Sequence, residues 1–295
     1  MALEAGAPPP EGTEEKQGNL FASVGIVVFF FCISIVLWKI SFNHSVWSVL
    51  CLIPLFVFVF LGIFRNTLDE RRALILSTVR PDSRLLGLLT GSRISPACTA
   101  ILIAILSVST VAVHTLLANI IQIAAFLATV AVSTLAYVGL IKIYKPQIQP
   151  FALSWFSAAT AVVVVSTLYV VLYVPIDWWL VERPSLREIG LNGFDPLMPG
   201  FLSQSQRNDV LYYAVKIFQG VDQTYLWFAS KLWEWGSLGG KWLGLLLHAF
   251  LSAHIGIVVS TSAVGVASFH RHYVETQAWW QKFLQRLHRK NQSGS

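Results

Sequence analysis

Apolar residues in this chain come in long unbroken runs, not in the spaced stripe of a surface helix or the alternation of a strand. Leu20–Trp38 and Val46–Phe64 are the first two runs, joined by the short polar turn from Lys39 to Ser45. Each approaches the roughly 20 residues that carry a helix across a hydrocarbon core, so the two are expected as a hairpin of spans. Pro54 is expected to kink the second. From Ala97 to Ile143 the chain stays apolar for too long to be one crossing, and its polar cluster His114, Thr115 and Asn119 divides it. A third span over Ala97–Val113 and a fourth over Ile120–Leu140 follow. Lys142, Lys145, Pro146 and Pro150 mark the next turn, Phe151–Val174 is the fifth span, and a sixth covers 242–269. The pattern predicts an all-α polytopic membrane protein with about six transmembrane helices.

Between the last two spans, 175–241 is the longest connector. Its first part carries Pro184, Gly190, Gly193, Pro196, Pro199 and Gly200 and reads as an irregular loop. Its second part changes period. Asp209, Lys216, Gln223 and Ser230 recur every seven residues, opposite Leu211, Val215, Phe218, Tyr225, Phe228, Leu232 and Trp235, which predicts an interfacial amphipathic helix over 209–235. Trp178, Trp179, Trp227, Trp233, Trp235 and Trp242 are the expected membrane-interface anchors.

Composition agrees with this reading. Of 295 residues, 55% are hydrophobic and 12% charged, about half the charge of a soluble domain. Residues 1–19, with Pro8, Pro9, Pro10 and four glutamates, have almost nothing to bury and are expected as an unstructured tail. The net charge of +6 is concentrated in the 65–93 connector, with its six arginines, and in the 270–295 tail. By the positive-inside rule both face the cytoplasm, as does the N-terminus by alternation, and a plasma or inner membrane is expected. A basic excess placed this way argues for the lipid bilayer as partner and against nucleic acid. Cys32, Cys51 and Cys98 show no metal-ligand spacing and read as small buried hydrophobes; no metal site is expected.

Candidate chemistry is sparse. None of the six spans has an Asp, Glu, Lys or Arg near its centre, which disfavours ion-coupled transport and proton relays but not a passive pore. No catalytic residue is assigned: Ser185, Ser203 and Ser205 lie in the outer connector without a histidine to activate them, and an enzyme acting at the outer surface is the third-ranked reading. Gly236, Gly240, Gly244, His248, Ser252, Gly256 and Ser260 recur at every fourth position and form a shallow groove along one helix. In lipid, such small-residue rows are a main means of close helix packing. The leading expectation is therefore a non-enzymatic membrane subunit that assembles through this groove, either as a homo-oligomeric pore or as the membrane component of a larger complex. The alternative is a cofactor protein, with haem as the candidate and His114, His248 and His254 as candidate ligands. His248 and His254 are six residues apart and cannot both ligate one iron. Trp233–Gly236 through Trp242, with Asp177–Trp179, resembles the tryptophan-rich outer loop of haem-handling proteins of cytochrome c maturation over a short stretch. The histidines do not flank it in that family's arrangement, so its roles are not carried over.

Overall fold

The computed structural model describes residues 12–42, 44, 46–78, 93–118, 120–176, 210–234 and 238–292. All the regular structure among them is helical: α1 (Gly12–Ser41), a 3₁₀ turn (Val46–Leu52) leading into α2 (Ile53–Thr78), α3 (Ile94–Leu117), α4 (Ile120–Tyr144), α5 (Pro150–Leu168) continued by a π segment (Tyr169–Tyr173), α6 (Val210–Glu234) and α7 (Leu238–Gln292). Six of these helical stretches are long and apolar enough to cross a membrane: Val24–Ser41, Trp47–Ile75, Ile94–Leu116, Ile120–Tyr144, Ala152–Ile176 and Leu238–Tyr273. The chain is an all-α, multi-pass integral membrane protein.

Several boundaries differ from the sequence reading, each for a local reason. The helix α1 starts at Gly12, so the unstructured tail expected to Asn19 does not extend over 12–19. Pro54 falls inside the span Trp47–Ile75, where the helix changes type. It occupies the second position of α2, after the 3₁₀ turn, where its missing N–H costs no helical bond. The arginine-rich connector is helical for its first half, because α2 runs on through Arg65, Asp69, Glu70, Arg71 and Arg72 to Thr78. Its second half lies outside the described residues, as do 177–209 of the longest connector. The basic tail continues the last span: α7 runs unbroken to Gln292.

The bundle is built around α7, which packs against α1, α2, α3, α4, α5 and α6. Although α1 and α2 are neighbours in sequence, the principal partner of α1 is α4, with Phe31 beside Phe126 at 6.1 Å between ring centroids. The smaller contact between α1 and α2 includes Phe30 edge-on to Phe58. At one end of the bundle the Trp38 indole N–H donates to the Ala112 carbonyl at 3.0 Å. At the other end α2, α4, α5 and α7 come together through Asn66, Tyr137, Ser154 and Ser268, with Arg65, Arg71 and Arg72 nearby on α2, Arg271 nearby on α7, and Lys142 and Lys145 at the end of α4. The described cationic residues thus gather mainly at one end.

Candidate functional site

Two constellations converge on α7, one made of small residues and one of polar side chains. The small-residue row predicted for this helix is present, and it faces inward. Gly240, Gly244, His248, Ser252, Gly256 and Ser260 are all buried, while Gly236 lies outside the described residues. A Cβ on Gly244 would stand 2.5 Å from the Ala229 carbonyl oxygen of α6. One on Gly256 would stand 2.9 Å from the Tyr169 ring. The groove is therefore filled by this chain's own α6 and π segment, which come as close as only a hydrogen side chain permits. The same demand explains α6. Its buried residues include Val215 and Ala229, whereas Phe218 and Phe228 of the predicted apolar face are exposed. Leu211, Gln223 and Ser230 are side chains outside the described set.

Tighter still is the crossing of α2 and α7. A Cβ on Gly62 would overlap the Gly265 carbonyl group, and one on Gly265 would press on the Val59 carbonyl oxygen at 3.3 Å. Neither glycine belongs to the four-residue row. Gly62 stands alone between Leu61 and Ile63, and Gly265 is out of register with Ser260 by one residue. The available signal was a glycine isolated within an apolar helix, which usually has a packing reason.

One turn beyond this crossing lies a polar knot. The Asn66 side-chain oxygen accepts from the Ser154 hydroxyl at 3.1 Å and from the Ser268 hydroxyl at 3.1 Å. Because Ser154 gives its single proton to Asn66, the Tyr137 hydroxyl, 3.0 Å away, must be the donor to Ser154. Four helices (α2, α4, α5 and α7) are thereby tied through one amide oxygen. The sequence reading missed Asn66 by placing it in a connector; an uncharged amide at the end of an apolar run was the clue.

The histidines are dispersed in burial. His248 is 3% exposed, whereas His254 is exposed, His114 half-buried near the end of α3, and His44 exposed. Among the described residues no three His, Cys, Asp or Glu side chains gather as a metal site. Of the expected interface anchors, Trp227 and Trp233 are half-buried on α6, with Lys241 lying 6.0 Å from the centroid of the Trp233 ring. Trp242 is exposed on α7, and Trp178, Trp179 and Trp235 lie outside the described residues.

On α7 the side away from the groove carries large apolar residues. Leu238, Trp242, Leu243, Leu246 and Phe250 are all more than half exposed, Phe250 at 75%. The apolar stretch Leu238–Tyr273 is 36 residues, about 54 Å of helix against a hydrocarbon core of about 30 Å. No protein-family model, no curated protein and no solved structure matches the chain.

Proposed function

We propose that this chain is a non-enzymatic membrane subunit that assembles with further membrane chains, copies of itself included, as the membrane component of a larger complex or as a pore-forming oligomer. The observation that carries this reading is the division of α7 into two faces. Its small-residue row is already covered by α6 and the π segment, and its opposite face, from Leu238 to Phe250, is left bulky and apolar on a helix longer than one crossing requires. We therefore assign assembly to that opposite face and give the small-residue row the task of holding α6 and α5 in place. By the positive-inside rule the end bearing Arg65, Lys145 and Arg271 faces the cytoplasm, with both termini on that side, in a plasma or inner membrane.

The test is mass measurement after gentle detergent extraction, with Leu246→Lys and Phe250→Lys as variants. A lower assembly mass or a lost co-purifying chain, at unchanged thermal stability, is the expected result; unchanged mass overturns the assignment. Flux of ions or small solutes in liposomes then separates a pore from a scaffold. The cofactor reading survives in reduced form, since of the two candidates on α7 His248 is buried and His254 is not. A visible absorption spectrum of the same preparation decides it: a Soret band lost in His248→Ala supports a haem protein, and a colourless preparation removes that reading.

A further inference from the structure

Serine and threonine hydroxyls within transmembrane helices are usually satisfied by a carbonyl one turn back on their own helix. Five buried residues of this bundle follow that rule: Ser34, Thr115, Thr129, Ser133 and Thr134 donate to the carbonyls of Phe30, Val111, Ala125, Thr129 and Val130. Ser166 on α5 and Ser260 on α7 do not. Both are buried, Ser260 at 0% and Ser166 at 7% exposure, and neither hydroxyl has a hydrogen-bond partner among the described residues.

Their positions bring them together. The Tyr169 ring lies over Gly256, which fixes the register of α5 against α7 at that level. Ser154 and Ser268 both bond Asn66, so the two helices meet again toward the basic end and run in opposite directions. Ser166 is three residues from Tyr169 toward that end, and Ser260 is four residues from Gly256 in the same sense, steps of about 4.5 and 6 Å along the respective axes. Turning about 100° per residue, Ser166 stays within about 60° of the Tyr169 direction and Ser260 within about 40° of the Gly256 direction. The two hydroxyls therefore face one seam at one depth, yet they do not bond each other. Two other unpartnered and fully buried hydroxyls, Ser157 and Ser262, lie about 120° away from these directions and do not share the seam.

A buried hydroxyl with no partner is costly in hydrocarbon surroundings. Two facing ones, too far apart or too misaligned to satisfy each other, are the arrangement that an intervening water resolves. We infer that the α5–α7 seam holds a water-binding site between Ser166 and Ser260. It takes one small neutral hydrogen-bonding molecule, with no charged side chain at that depth on either helix to hold an ion. The site lies one turn from the π segment, where Tyr169 N–H is already shared between the Ser166 and Val165 carbonyls. π turns commonly mark places where a helix accommodates something other than its own backbone.

Opposite signs distinguish a wet seam from a dry one. If a water bridges the hydroxyls, Ser166→Ala and Ser260→Ala each lower Tm, and the double variant is no less stable than the worse single variant, because both singles break the same bridge. If the hydroxyls are dry, removing either raises Tm and the two effects add. A second readout uses the full chain with Cys32, Cys51 and Cys98 replaced. The thiol of Ser260→Cys, followed by its infrared S–H band after transfer to heavy water, is expected to exchange roughly tenfold faster than that of Thr134→Cys, a buried position bonded to its own helix. A rise in Tm for both alanine variants, or exchange no faster than in Thr134→Cys, overturns the inference.

Discussion

Two stretches of α7 solve the same packing problem differently. From Val259 to Ser268 nearly every residue is buried, because α2, α4 and α5 surround the helix there. From Leu238 to Ile257 burial follows a single stripe, and the remaining face is bulky and exposed. From Val259 to Ser268 small residues appear on several sides and Ser268 bonds across to Asn66. In the second stretch they are confined to the one side that α6 and Tyr169 cover. Small residues thus track where backbone must approach backbone, while size returns wherever lipid or another chain is the neighbour. This is the reverse of a soluble core, in which the large apolar residues would be inside.

Substitution at Gly62 is expected to disturb the packing of α7 most. Any side chain there meets the Gly265 backbone, which cannot move aside as a side-chain tip can. Gly62→Leu is expected to cost more than about 3 kcal/mol and to abolish the monodisperse peak in fluorescence-detected size exclusion; a normal peak would show that the crossing is looser than described. Next comes Asn66→Leu, which strands the Ser154 and Ser268 hydroxyls together. A loss of about 1–2 kcal/mol is expected, read as a lowered Tm. Combining Asn66→Ala with Tyr137→Phe should give less than the sum of the single effects, since both act through Ser154. In the stretch before Val259, Gly244→Val should leave the Tm of the bundle nearly unchanged but free α6, seen as faster proteolysis within 210–234. If Tm instead falls as far as in Gly62→Leu, the two stretches are not separable. The smallest effect is expected on the exposed surface of α6, where Lys231→Ala removes the ion pair with Glu234. Less than about 0.5 kcal/mol should follow, as for exposed pairs in general.

Hydropathy runs made the six spans legible, because a helix in hydrocarbon must be apolar over its full length whatever its neighbours are. The row from Gly240 to Ser260 was legible for the same reason that it is useful: every-fourth spacing is a local property of one helix. Which helix fills that row was not, since the Gly244–Ala229 and Gly256–Tyr169 contacts depend on chain direction and tilt. Nor were Gly62 and Gly265, whose pairing joins distant segments with no shared period. The continuation of α2 past Arg65 was hidden by its charges, which read as a connector although Arg, Glu and Leu are good helix formers. Asn66 was lost with it.

The crossing at Gly265 also has a mechanical meaning. Twenty-seven residues of α7 precede it and 27 follow it within one uninterrupted helix, so the closest backbone contact falls at the middle of a rod about 80 Å long. A beam held at its midpoint turns rather than slides. A tilt of about 5° about that fulcrum would carry the two ends of α7 about 3–4 Å in opposite directions.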